Sequence, residues 1–473
     1  MLDEDVVLKF ARYTNERILI INAFLIAILP AIFGGGSSML AVCIIFSVGI
    51  IAPINVISYP RMWIDAPEYV RLKYFVAITP ALALLALTLY RISIPAISDM
   101  YIESESFDYL SNSEQLSLAF TDTLAAVGGA ISILSMIAVG TSIYFITQSR
   151  FIVQSLVSIC SAGVVVMALC GLVAKGFDYM DVPPILGIFG PESFASFERG
   201  QDWASFAFLW SSALFAVTIY TPQRFRIRNM LQSARTLILA LASLLGLSAF
   251  FTASPILKIL VALQFAVVFA VYARNVFPSE RILKIHWKSA RKSHMPKRSL
   301  KEVICPFAIY LALSLASLFA AANAYMDYSD FEKTPEELEI AQEWRNIDAD
   351  ALEIAQERPL WGWGANSFSA VFALNQGDDV DMQKIETPSS DFLRARVEYG
   401  FLGMGLIFLM PLLLWLRVLV RNGFSQSGVI FLSSIILISI YASLSTPFVN
   451  PCVFASFWMV FFCYLTWEKA EII

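Results

Sequence analysis

The feature that most constrains this chain is a series of uninterrupted apolar runs, each roughly 17–25 residues long. That length lets a helix cross the hydrocarbon core of a bilayer. Inside lipid no water satisfies the backbone polar groups, so such runs must be helical. Read with their flanks, they mark about twelve candidate spans: 18–33, 39–59, 74–90, 123–146, 152–174, 203–220, 236–252, 255–273, 303–323, 400–420, 427–446 and 452–467. The close pairs around Pro255 and Pro451 are candidates for broken or re-entrant helices. Composition agrees. The chain is 58% hydrophobic and 15% charged, where a soluble domain is about a quarter charged. The expected fold class is therefore an all-α integral membrane protein of about twelve transmembrane helices. The start, "MLDEDVVLKFARYTNER", is charged and leads straight into the first run, so no cleavable signal peptide is expected.

The connecting segments sort by charge. Segments 221–235 and 274–302 are strongly basic, and 91–122 and 324–399 are strongly acidic. With twelve spans the two classes fall on opposite sides, and the basic one belongs in the cytoplasm. Both termini are then cytoplasmic, and 91–122, 175–202 and 324–399 face outward. Three parts result: an N-terminal transmembrane bundle over 1–323 with about nine spans, a large outward loop over 324–399, and C-terminal spans over 400–473.

The long loop is far beyond an ordinary connector, and loops of that length are usually functional. Thr334-Pro335-Glu336-Glu337 is a capping box with proline at the first helical position, so a helix is predicted to start there. A second helix is predicted from Asp348, ending before Pro359. The segment "ERPLWGWGANSF" at 357–368 then forms a turn, and after a polar stretch "PSSDFLRARVEYG" runs as a helix into the span at 400. Along that last helix Asp391, Arg394, Ala395 and Glu398 share one face.

These residues suggest chemistry on a phosphate-bearing, lipid-linked substrate. A guanidinium grips phosphate oxygens in a bidentate fork, and Arg199, Arg345, Arg358, Arg394 and Arg396 all fall on the outward side. A carboxylate that takes a hydroxyl proton beside such a cation makes a transferase constellation. The competing explanation is a solvated face of intrahelical ion pairs, since Asp391/Arg394 and Arg394/Glu398 have ordinary salt-bridge spacing. Lys258 sits near the outer end of a span, where an ionisable group is a functional candidate unless it merely snorkels to the interface. Trp361 and Trp363 can stack on sugar faces or anchor at the interface.

Other classes are less consistent with the residues. None of the six cysteines forms a C-x-x-C pair, and both histidines, His286 and His294, lie in one basic loop. Neither a metal centre nor a disulfide frame is expected, nor a cofactor or a nucleic-acid partner. A membrane glycosyltransferase and a transporter or flippase for a lipid-linked substrate both remain open. A transporter calls for two similar halves with matching midplane charges, whereas here one outward loop carries most candidate groups.

"EWRNIDADALEIAQERPLWGWGANSFSAVF" and "SSDFLRARVEYGFLGMG" resemble the two conserved-order elements of the large periplasmic loop in the O-antigen ligase and Wzy polymerase superfamily. "SFERGQDWASFAFL" resembles that family's earlier outward motif, and "SLSTPFVNPCVFASFWMVF" its final paired spans. The resemblance extends over roughly residues 180–467. It implies a glycosyltransferase C-type helical bundle in the bacterial inner membrane, a donor glycan linked through diphosphate to undecaprenol, and a glycan or lipid-linked acceptor. It also implies chemistry on the periplasmic face without a metal, within membrane lipid, and leaves room for a chain-length regulator. Arg199, with Arg345 or Arg394, would hold the diphosphate while the acceptor hydroxyl attacks the anomeric carbon with inversion. Two departures bear on the reading. The family's ligase histidine falls on Ser389, and the following asparagine on Ser390. Its membrane arginine falls on Pro255, leaving Lys258 as the substitute cation. Both favour a polymerase over a ligase. Glu398 and Asp391 are then the expected bases, because Ser389 is too weak without an activator.

Overall fold

The computed structural model describes residues 4–32, 100–103, 106–109, 123–147, 149–179, 194–197, 199–220, 234–276, 335–375, 385, 387–422 and 424–470, with scattered positions at 79–86 and 311–322. Among these residues the chain is helical, apart from a short antiparallel ribbon of β1 (Met100–Glu103) and β2 (Ser106–Tyr109) within segment 91–122. Five helices are long and apolar enough to cross a membrane: Arg150–Gly176, Gly200–Ile219, Pro255–Arg274, Asp391–Val420 and Pro451–Lys469. Shorter apolar helical stretches cover Ile133–Phe145, Leu237–Thr252 and Gln426–Ala442. The expected runs at 39–59, 74–90 and 303–323 lie wholly or largely outside the described residues, as do both histidines.

The chain divides into two compact units. One comprises 1–152, 332–423 and 439–473. It contains α1 (Glu4–Ile32), α2 (Thr123–Ile146) and the start of α3 (Arg150–Tyr179), and the helices that bear the candidate site. The other comprises 153–331 and 424–438, with α4 (Gly200–Tyr220), α5 (Ala234–Thr252) and α6 (Pro255–Val276).

In the second unit α4 is the buried centre, with Trp203, Trp210, Phe206, Phe208 and Phe215 all enclosed. A tight hairpin at 194–197 places Phe194 and Phe197 against the Trp203 ring, with centroids 5.2 and 5.7 Å away. Gly246 of α5 lets the Phe265 ring of α6 approach, since a Cβ there would lie 2.5 Å from Cζ. The break expected at Pro255 is a two-residue gap between α5 and α6, in which the Ser254 carbonyl accepts from Lys258 N at 2.9 Å. Several polar side chains in this apolar setting are satisfied, while Trp203 Nε1 and Ser212 Oγ have no hydrogen-bond partner among the described residues. Thr218 and Ser243 donate to carbonyls one turn earlier, and Gln264 bonds both Ile430 O and Ser433 Oγ.

In the first unit the remaining helices are α7 (Pro335–Glu357), α8 (Phe368–Asn375), α9 (Asp391–Asn422), the end of α10 (Gln426–Ala442) and α11 (Pro451–Lys469). α11 packs on α2 at Gly140, where any Cβ would overlap the Phe462 ring. Cations close the helix ends. Lys469 Nζ donates to Tyr144 O at 2.6 Å, and Arg150 Nε to Trp467 O at 3.0 Å. Asn450 caps α11 by accepting from Cys452 N, and Pro451 takes the first helical position. The α9 segment beyond Phe401 leaves Phe408, Leu409, Leu412, Leu413, Leu416 and Val420 exposed. A bare apolar face of this length fits lipid rather than water.

α7, α8 and the first turns of α9 form a cap with its own core. Ile347, Ala351, Ile354 and Ala355 fall on one face of α7, and meet Phe368, Val371, Phe372 and Val397. α7 starts at Pro335 and stops before Pro359, as the sequence predicts. The expectation of two helices is corrected: one runs unbroken over 335–357. No glycine or proline interrupts it, and the Asp348 carboxylate binds Ser389 instead of capping a new helix. α8 was likewise not predicted, because its eight residues carry too short a pattern.

Candidate functional site

The segment "RPLWGWGAN" determines the geometry here. α9 is broken at Gly400, which has φ 58° and ψ −172°, a conformation that essentially only glycine adopts. The break exposes backbone groups on both sides of residue 400, and the turn over 359–364 takes them up. Trp363 N donates to Val397 O at 2.8 Å and Gly364 N to Glu398 O at 2.8 Å. In return Phe401 N and Leu402 N donate to Pro359 O and Leu360 O, each at 2.9 Å. The two backbones touch at Gly362 and Gly400. A Cβ on Gly362 would lie 2.5 Å from Glu398 O, and one on Gly400 would lie 2.6 Å from Gly362 N. The glycines of the motif thus permit a docked corner.

This corner brings the amide of Asn366 to α9. Asn366 sits at φ 55°, a left-handed conformation asparagine tolerates. Its Oδ1 accepts from Arg394 Nη2 at 2.8 Å, while Arg394 Nε donates to Glu398 Oε1 at 2.9 Å. Glu398 is 3% exposed. Gly129 of α2 lies behind the amide, and a Cβ there would come within 2.7 Å of Ala365 Cβ. At the start of α9, Asp391 Oδ2 accepts from Phe448 N at 2.6 Å and Asp391 N donates to Ser445 O at 3.1 Å. Asp391 therefore ties α9 to the turn that precedes α11.

Asp391, Arg394, Ala395 and Glu398 together line a cavity of about 430 Å³. Asn366, Ser369, Thr387, Tyr399 and Ser439 complete its polar part. Its apolar part is Met404, Ile407 and Phe408 of α9, and Phe448, Phe454, Phe457 and Trp458 from the α11 side. The helical face read from the sequence is thus a cavity wall, and its Arg394–Glu398 pair is also the salt bridge of the competing explanation.

The other candidates lie elsewhere. Arg396 points away from this cavity set, with its guanidinium 5.2 Å from the Phe401 ring centroid and its buried Nε without a hydrogen-bond partner among the described residues. Trp363 belongs to the cap: Nε1 donates to Ile354 O at 2.9 Å, and Arg358 covers the ring at 3.5 Å. Trp361 is half-buried and, like Trp363, is not among the residues lining the cavity. Arg345 is exposed on α7. Arg199 and Lys258 belong to the second unit, Arg199 at the start of α4 and Lys258 in the first turn of α6. Ser389 is engaged through both N and Oγ by the Asp348 carboxylate. Sequence reasoning missed Asn366, Tyr399 and Ser439. Only Asn366 had a legible signal, an amide two residues after the last glycine of a glycine-rich turn.

The chain matches no family model, and no curated protein sequence matches it.

Proposed function

We propose that the chain is an integral membrane glycosyltransferase that polymerises undecaprenyl-diphosphate-linked repeat units at the periplasmic face of a bacterial inner membrane. In this reading the chain has about twelve spans in a glycosyltransferase C-type bundle, with cytoplasmic termini. The observation that carries the reading is the cavity under the cap. It is lined both by a buried carboxylate with a guanidinium held by two partners and by aromatic, lipid-compatible side chains.

In the reaction the acceptor hydroxyl oxygen forms a bond to the donor's anomeric carbon as the carbon–oxygen bond to diphosphate breaks. Glu398 or Asp391 takes the hydroxyl proton. The bonding pair departs on undecaprenyl diphosphate, and Arg394 faces the charge that develops there. Arg345 and Arg396 remain the proposed cations for the rest of the diphosphate, and Arg199 and Lys258 are candidates from the sequence alone. The clasp of Ser389 by Asp348 weighs against a ligase, because the position of the ligase histidine is occupied by a side chain already bound within the cap.

Deleting the gene and analysing surface polysaccharide tests this. Single repeats on lipid or core are expected. Full-length chains stranded on undecaprenol would indicate a ligase, and unchanged glycan with altered solute uptake would refute the transferase. Arg394→Ala and Glu398→Ala are each expected to abolish polymer while the protein stays in the membrane. Full activity in both would return this face to a structural ion pair.

A further inference from the structure

The charge of the cavity distinguishes between the two substrates of such a reaction. Among the described lining residues the ionisable side chains of fixed charge are Asp391, Glu398 and Arg394, which gives two carboxylates against one guanidinium. The guanidinium is already paired with Glu398 at 2.9 Å and with Asn366 at 2.8 Å. A diphosphate placed here would meet a net negative surround in a partly dry site, where charges are poorly screened. A sugar meets the opposite situation. Its hydroxyls donate to the carboxylates and accept from the remaining guanidinium N–H groups and the Asn366 amide. Its C–H faces suit the rings of Phe448 and Trp458, and a volume of about 430 Å³ is that of a small-molecule site.

We infer that this cavity binds an amphiphile with an uncharged, hydroxyl-rich head, the acceptor sugar of the reaction, and that it disfavours anionic heads. The word acceptor rests on the glycosyltransferase reading. The preference for an uncharged head rests only on the cavity. It follows that the sugar accepting the next unit is neutral, not a uronic acid, and that the body of the donor's diphosphate lies on cations outside this set of residues, with only its reacting oxygen facing Arg394.

The test uses the full-length protein in lipid nanodiscs with an octyl glucoside bearing a diazirine at the chain end. Photolabelled peptides are mapped by mass spectrometry, and labelling is competed with octyl glucoside, octyl glucuronide or octyl phosphate. Labelling is expected in segments 391–408 and 448–458. Octyl glucoside should compete at least about tenfold better than either anionic compound. In the Asp391→Asn/Glu398→Gln double variant the glucuronide should compete as well as the glucoside. Equal or better competition by the glucuronide or the phosphate in the native protein would overturn the inference. So would labelling confined to other segments. The rank order in the native protein needs no variant to fold. A neutral-head preference combined with unchanged glycan in the deletion strain would remove the transferase and leave this inference standing. A phosphate preference combined with loss of polymer would do the reverse.

Discussion

Arg394 is held from two directions, by Glu398 one turn along its own helix and by Asn366 from the turn beneath the cap. An exposed i,i+4 ion pair contributes little, about 0.3–0.5 kcal/mol, but Glu398 is buried, so removing one partner leaves a charge without compensation. Asn366 contributes orientation more than charge. A hydrogen bond to a charged group is worth about 1.5–3 kcal/mol, so Asn366→Ala should lower the proposed polymerising activity by about tenfold or more while the protein remains folded. Rates measured on membranes at matched protein level would check this, and unchanged rates would show that Arg394 needs no second holder. Ser389→Ala should be milder in chemistry, because its hydroxyl serves the clasp to Asp348. Its expected effect is faster proteolysis of the loop with activity reduced in proportion, read by limited trypsin digestion. Replacing Ser389 with histidine is not expected to create a ligase, since the Asp348 carboxylate occupies the adjoining space.

At the scale of elements the controlling feature is the interlock of the 359–364 turn with the break in α9. Its four backbone hydrogen bonds connect the cap to the helix that carries the site. Gly400→Ala would place a Cβ 2.6 Å from Gly362 N and force a side chain into a conformation reserved for glycine. The conformational cost alone is about 1–3 kcal/mol, and the overlap adds to it because both contacts are backbone. Loss of the docked cap should appear as a lower melting temperature in detergent and rapid cleavage within 335–390. Gly405→Ala is the matched control. No atom lies within 4 Å of the Cβ it would add, so it should be neutral or slightly stabilising, since alanine favours a helix over glycine by about 1 kcal/mol. The helix start at Pro335 and the stop before Pro359 were legible because start and stop signals act locally. The break at Gly400 was not, because a glycine inside an apolar helical pattern looks the same whether it is helical or broken. What decides is whether another backbone is present to take up the freed groups.

For the whole molecule, the sidedness proposed from loop charge is the statement most open to direct measurement. Cysteines introduced at Arg345 and at Lys288, on a background lacking the six native cysteines, should label oppositely with a membrane-impermeant maleimide. Arg345→Cys is expected to react in intact spheroplasts, and Lys288→Cys only after permeabilisation. The reverse pattern would put the cap in the cytoplasm and remove the periplasmic reaction. The exposed apolar faces of α3 and α9 belong to the same scale. They fit lipid rather than water, and the buried hydroxyls that bond back to their own helices are consistent with the same constraint from within.

The apolar runs, the capping signals and the spacing of Asp391, Arg394 and Glu398 determined the helical class, the limits of most described helices and one face of the site. Each depends on residues close together in the chain, where periodicity and local hydrogen bonding are sufficient. The tertiary structure alone decided that Asn366 holds Arg394, that Asp391 is tied to the turn before α11, and that Trp363 serves the cap core. It also decided that aromatic side chains of α11, a helix some sixty residues further on, line the same cavity as α9. The docking of the 359–366 turn depends on close approach at Gly362, Gly400 and Gly129, where a missing side chain carries no periodic signal but determines which surfaces can touch.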